Sequence, residues 1–338
     1  MCCNCFQMPF LKIAQEVSPE QVKLFGTAWT APQWMKEIDN TTGKSSLKKE
    51  YYQVYANYYI RFLKSYAKEG IKFWGLTPQN EPGVAIILGK VITMGWTPEE
   101  MLQYLVENLC PALTANGYGD LKMMLLDDNR NYVPEWIKIL KNDSLRACVN
   151  GLALHWYTDK TTSVSILDEA HTEYPDKFMI YSEACPEYVC GILFNDHYLR
   201  HVVFEPERNP EDQRVILGNW KDGAQYISSI IQASRSSVSN NWVSGWVDLN
   251  MAIGLDGGPN WLNETRNDAP VVVNATADEF YKQPTFYGIA HVSRFVRPGS
   301  VRVGLHTGSD SLQGVAFLTP DRVTVVVLHN TYVKPVHD

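Results

Sequence analysis

Short apolar runs alternate along this chain with longer stretches whose apolar positions recur at helical spacing. Residues 22–28 read as a strand. Residues 48–70 carry Tyr52, Tyr55, Tyr59, Phe62 and Tyr66 on one helical face and stop at Gly70, a helix-ending signal. Residues 71–77 form the next strand. Thr97-Pro-Glu-Glu100 is a helix start, with Thr97 as cap, Pro98 at the first helical position and Glu100 completing a capping box. That helix is expected to reach about Ala115. Strands follow at 122–126, 151–155, 178–182 and 241–246, with helices expected at 133–141, 165–172 and 222–233.

Alternation of this kind implies parallel strands joined by helical crossovers. No glycine-rich phosphate loop follows any strand, which disfavours a dinucleotide-binding sheet. Polar and aromatic residues stand instead at the C-terminal strand ends: Trp29, Asn80 with Glu81, Asp127 with Asp128, His155 to Tyr157, Glu183 and Asp248. In an α/β barrel that rim carries the chemistry. The expected fold is an α/β TIM barrel with about six of its eight βα units present, joined to a small partial all-β domain. Residues 1–9 read as an unstructured leader, 10–250 as the partial barrel and 251–277 as a β insertion rich in turns. Residues 278–297 read as the last barrel helix, with helical spacing over 277–296. Residues 298–338 read as a truncated β-sandwich whose strands at 300–303, 312–318 and 323–328 run antiparallel, with a turn at Pro320-Asp-Arg322.

Composition narrows the class only a little. Apolar residues make up 45% of the 338 and charged residues 20%, an ordinary globular balance. The net charge of −7 argues against a nucleic-acid partner. Aromatics at 12% suit flat sugar faces and large cores alike. The start, MCCNCFQMPF, lacks the basic and apolar segments of a signal peptide. The seven cysteines, three of them at Cys2, Cys3 and Cys5, fit neither a zinc site nor a dense disulfide framework. Sequons at Asn40, Asn142, Asn263 and Asn274 hint at a secretory route. No metal or other cofactor is called for.

Two carboxylates stand out. Glu81 lies in Thr77-Pro-Gln-Asn-Glu-Pro82 and Glu183 in Met179-Ile-Tyr-Ser-Glu-Ala-Cys185, each directly after a strand. With the first visible strand counted as the third of a barrel, these are the ends of strands four and seven. A single Glu in such a place is usually a solvated loop residue or a helix cap. Two at matching strand ends, one between Asn80 and Pro82, point to glycoside hydrolysis. Retaining glycosidases need two carboxyl groups about 5 Å apart, one to shuttle a proton and one to attack C1. Asn80 is placed to bond the sugar 2-hydroxyl.

The chain resembles the lysosomal acid β-glucosidases (glucosylceramidases) of glycoside hydrolase family thirty. Seven ordered motifs carry the resemblance: Trp29-Thr-Ala-Pro-Gln-Trp-Met-Lys36, Thr77-Pro-Gln-Asn-Glu-Pro82, Met124-Leu-Leu-Asp-Asp-Asn-Arg130, His155-Trp-Tyr157, Ser182-Glu-Ala-Cys185, Gly257-Gly-Pro-Asn-Trp261 and Tyr281-Lys-Gln-Pro-Thr-Phe286. It implies a retaining β-glucosidase that cleaves glucosylceramide to glucose and ceramide, with Glu183 as nucleophile and Glu81 as acid/base. It also implies Trp29 and Asn80 as glucose contacts, Tyr157 as a hydrogen-bond partner of Glu183, a lysosomal or secreted location, a saposin-type activator and an anionic lipid surface. Trp34 and His155 are expected to be structural, and Asp127 with Arg130 is a candidate ion pair at the mouth.

The chain departs from the family at Leu249, where a sugar-contacting Trp is usual, and at Glu264, where an Asn is usual. It also lacks the first two barrel strands and reads as truncated at both ends. A clan-related xylanase or β-1,6-glucanase, or a catalytically inactive fragment, are the alternatives.

Overall fold

A computed structural model describes residues 4–42, 45–83, 92–185, 215–234, 243–259 and 268–332. The chain divides into two compact units, 1–128 with 132–153, and 129–131 with 154–338.

The first unit opens with α1 (Asn4–Val17). The expected unstructured leader is thereby corrected from residue 4 onward: Phe6, Phe10 and Ile13 recur at helical spacing, and Pro9 lies within the helix. Strand β1 (Phe25–Gly26) follows, then a 3-10 turn into α2 (Tyr52–Lys68), β2 (Gly75–Leu76) and a long helix α3. Helix α3 runs through Pro98–Tyr104, a π-helical turn at Leu105–Leu109, and Cys110–Ala115. Strand β3 (Lys122–Asn129) is longer than its apolar core predicts, and β1–β2 and β2–β3 pair in parallel. Helix α4 (Val133–Trp136, continued as 3-10 through Lys141) and α5 (Asp143–Cys148) lead to β4 (Val149–His155).

Helix α2 buries Tyr52, Tyr55, Ala56, Tyr59, Ile60, Leu63 and Tyr66, the stripe its spacing requires. Its tyrosines meet Trp96 and Tyr104, with Tyr52 ring-centred 5.4 Å from Trp96 and 5.5 Å from Tyr104. Burying Ile60 and Leu63 contributes roughly 1.5–3 kcal/mol each. Gly70, at φ 79°, ends the helix in the left-handed conformation that the sequence signals. The Thr97 capping box forms as expected, with Thr97 Oγ1 accepting from the Glu100 amide and Glu100 accepting from the Thr97 amide. A disulfide joins Cys110 on α3 to Cys148 at the end of α5. The cysteine spacing does not reveal it, because the pair meets only when α5 folds back on α3.

The second unit holds the end of β4, α6 (Ser165–Glu173), β5 (Phe178–Glu183), α7 (Trp220–Ala233) and β6 (Val243–Trp246), with β5 and β6 parallel. Strands β1, β2 and β3 of the first unit are neighbours in chain order, as are β5 and β6 of the second. This is the α/β-barrel alternation that the sequence predicts, with six strands among the described residues. A three-stranded sheet follows, β7 (Ala252–Gly254), β8 (Val271–Asn274) and β9 (Glu279–Lys282).

Helix α8 (Pro284–Ser293) then packs on α7. A Cβ at Gly223 would lie 2.8 Å from the Pro284 backbone, and one at Gly288 2.9 Å from the Gly223 carbonyl, so these glycines permit the close approach. The helix expected over 277–296 is corrected at its start. Asp278, at φ 53°, closes a hairpin, residues 279–282 pair with β8, and Pro284 fixes the first helical position. Finally β10 (Val301–Val303), β11 (Leu312–Leu318) and β12 (Thr324–Asn330) form an antiparallel sheet. Val315, Phe317 and Val327 of this sheet pack on Ile227 and Ile231 of α7.

Candidate active site

In the first unit, the residues past β2 carry Asn80 and Glu81. Thr77 donates its amide to the Gly26 carbonyl and Asn80 donates its own to Ala28, extending the β1–β2 ladder into the loop. Gln79 Nε2 donates to the Trp29 carbonyl and to the Asn80 carbonyl, both at 2.8 Å. Asn80 is buried at 4% exposure, and Trp29 presents its ring at 40%. Trp34, expected to pack, meets Tyr51 edge-on with ring centres 5.2 Å apart but remains half exposed.

Glu81 adopts φ 45°, and so do few residues that precede a proline. Leu126 at φ 80° and Asp127 at φ 52° are left-handed as well. Non-glycine residues in this region cost on the order of 1–3 kcal/mol each and persist where the surroundings over-determine them. The Glu81 amide donates to the Asp127 carbonyl at 2.8 Å. The Asp127 carboxylate accepts the Thr27 and Thr77 hydroxyls at 2.8 and 2.6 Å, and Asp128 accepts the Gly83 amide at 2.9 Å. Tyr132 is pushed up by burial first, and further by the carboxylates of Asp128 and Glu81.

In the second unit, Glu183 is the last residue of β5 and is 8% exposed. Tyr157 donates its hydroxyl to Glu183 Oε1 at 2.8 Å, as expected of it. His155, expected to be structural, is fully buried with Nδ1 3.8 Å from the same oxygen. Cys185 is buried, with its Sγ 3.6 Å from the Tyr157 hydroxyl. Leu249 donates its amide to Ala184, and Glu264 lies outside the described residues.

Arg130, expected with Asp127, turns to the loop after β4. It pairs with Asp159 (Nε to Oδ1, 3.2 Å), donates to the Asp159 and Thr162 carbonyls, and donates to the Tyr181 hydroxyl at 3.1 Å. Tyr181 in turn donates to Asp159 Oδ2 at 2.9 Å. Burial lifts Asp159 to about 7, against the pull of Arg130 and Tyr181. Burial likewise lifts Asp248, which accepts the Tyr226 hydroxyl at 2.7 Å, to about 8. Asp159 and Tyr181 give no signal in the sequence, since each joins the network only through tertiary contact. The threonines were equally silent, although Asp127 itself is visible as a strand-end acid.

Residues 4–296 match the profile of the glycosyl hydrolase family 30 TIM-barrel domain, and residues 299–337 that of the glycosyl hydrolase family 30 beta sandwich domain. The lysosomal acid glucosylceramidase of Mus musculus is 37% identical over 96% of this chain, and the putative glucosylceramidase 4 of Caenorhabditis elegans is 36% identical over the same share. The chain spans 59% of the length of each of these relatives. The crystal structure of SrfJ from Salmonella typhimurium superposes with a TM-score of 0.80 at 26% identity, covering 97% of this chain and 66% of that one.

Proposed function

Because this chain belongs to glycosyl hydrolase family 30, we propose that it carries the catalytic residues of a retaining β-glucosidase of the glucosylceramidase type. The observation that carries the reading is Glu183: a buried carboxylate ending a parallel strand, with a phenol donating to one oxygen. A hydrogen bond to the ionised form favours that form, which a nucleophile needs. The 37% identity to the mouse glucosylceramidase supports the substrate class.

In this reading Glu183 attacks C1 of a β-glucoside while Glu81 gives its proton to the departing oxygen. Glu81 then takes a proton from water, which attacks C1 and releases glucose from Glu183 with the configuration retained. Asn80 and Trp29 hold the glucose, one through hydroxyls and the other through an apolar ring face. Glucosylceramide is the proposed substrate and the lysosome or secretory route the proposed location. The disulfide between Cys110 and Cys148 favours an oxidising compartment. A saposin-type activator and an anionic lipid surface would bring a membrane-embedded substrate within reach.

The test is peptide mass mapping after treatment with a 2-deoxy-2-fluoro-β-glucosyl inactivator. The label is expected on Glu183. A label on another residue sinks the assignment of Glu183, and no label on a folded chain favours an inactive fragment. Cleavage of xylan or β-1,6-glucan in place of glucosylceramide would retain the mechanism and discard the substrate.

A further inference from the structure

We infer that Asp127 is a positioning residue for Glu81, fixing the backbone from which the acid/base carboxyl projects. The inference rests on the assignment of Glu81 given above. The backbone at Glu81 is unfavourable twice over, left-handed in a non-glycine residue and followed by Pro82. One backbone hydrogen bond, from the Glu81 amide to the Asp127 carbonyl, ties this turn to the end of β3. That carbonyl belongs to a residue which is itself left-handed, as is its neighbour Leu126.

What holds Asp127 in turn is its side chain. It is 2% exposed, and a single oxygen, Oδ2, receives hydroxyls from Thr27 just past β1 and Thr77 just past β2. The carboxylate therefore pins three successive strand ends together. Asp128 adds a second tie two residues beyond Glu81, through the Gly83 amide. Without the pin, the restraint that these two hydroxyls place on the left-handed residues at the end of β3 is lost. The Asp127 carbonyl would rotate, and the Glu81 turn would follow it.

A general acid must lie within hydrogen-bond reach of the leaving oxygen, and an error of about 1 Å costs about a hundredfold in rate. The loss falls on proton donation and spares attack by the nucleophile. It is therefore visible as a dependence on the leaving group: an alkyl β-glucoside needs a proton on departure, whereas 2,4-dinitrophenyl β-glucoside does not.

The experiment compares kcat/KM on these two glucosides for the full chain, Thr27→Val/Thr77→Val, Thr27→Ser/Thr77→Ser and Glu81→Ala. The valine pair is isosteric and removes both donors. It is expected to lose about a hundredfold on the alkyl glucoside while staying within about threefold of the parent on the dinitrophenyl substrate. The serine pair, which keeps both hydroxyls, restores the alkyl rate. Glu81→Ala shows the same pattern more strongly. Equal losses on both substrates for the valine pair, with Glu81→Ala still selective, overturn the positioning role alone. If the valine pair fails to fold, Thr77→Val by itself provides the same comparison. Should Glu81→Ala show no leaving-group dependence, or the full chain hydrolyse neither glucoside, the acid/base assignment fails and the inference with it.

Discussion

The surroundings of Glu81 and of Glu183 are built on opposite principles. Glu81 belongs to a region held by backbone and covalent ties: left-handed residues, an amide-to-carbonyl bond to Asp127, threonine hydroxyls on one carboxylate, and the Cys110–Cys148 disulfide in the same unit. Glu183 belongs to a region held by side chains that titrate. Tyr157 and His155 flank its carboxylate, Asp159 lies with Arg130 and Tyr181, and Asp248 lies under Tyr226. The difference teaches that the first region responds to loss of a constraint, whereas the second responds to pH.

The comparison can be broken first at the disulfide. Closing a loop over a separation of 38 residues restrains the unfolded chain by about 4 kcal/mol. Cys110→Ser/Cys148→Ser is expected to lower the unfolding free energy by up to about that amount in denaturant titrations. A midpoint within error of the parent would show that the covalent tie contributes nothing to its region.

A smaller effect is expected at Tyr157. A hydrogen bond to a charged group contributes about 1.5–3 kcal/mol, so Tyr157→Phe should slow kcat/KM by about one to two orders of magnitude. The loss should be alike on alkyl and dinitrophenyl glucosides, because on the proposed roles the nucleophile and not the acid is disturbed. A selective loss on the alkyl substrate would erase the distinction between the two regions.

The most gradual test is pH, its effect spread over several units. Burial raises Asp159 to about 7 and Asp248 to about 8 from an ordinary 3.8, so the folded chain binds these protons more tightly than the unfolded chain. Their contribution to stability is complete below the ordinary value and is lost as the pH rises through about 7 and 8. In the first unit the buried Lys36, which donates to the Thr93 carbonyl, is lowered by burial to about 8. Its contribution has the other sign and changes only above that pH. Asp159→Asn should flatten the fall in stability between pH 4 and 7 by at most about 1.4 kcal/mol per pH unit. Thermal unfolding across that range checks it, and an unchanged slope would remove Asp159 from the argument.

Much of the architecture is legible in the sequence. The alternation of short apolar runs with helical stretches predicted the strand order within each unit, and the capping box at Thr97 fixed a helix start to the residue. Errors arose where two periodicities overlap. Residues 279–282 alternate Phe280 and Lys282 outward with Tyr281 inward, a period of two hidden at the front of an apolar helix. At the N-terminus, the helical spacing of Phe6, Phe10 and Ile13 spans only two turns and begins beside Cys2, Cys3 and Cys5, so the periodic signal is short.

The sequence by itself singled out Glu81 and Glu183 and the elements that carry them, because strand-end position and neighbouring residue type are local properties. It also predicted the Tyr157–Glu183 contact, through resemblance. Only the tertiary structure decided how each is held. The left-handed turn at Glu81 exists because Asp127, Thr27 and Thr77 converge from three strand ends, separated by 50 and 100 residues of chain. The values near 7 and 8 at Asp159 and Asp248 exist because packing removes water from them. Strain and desolvation are properties of surroundings, and surroundings form only when distant segments meet.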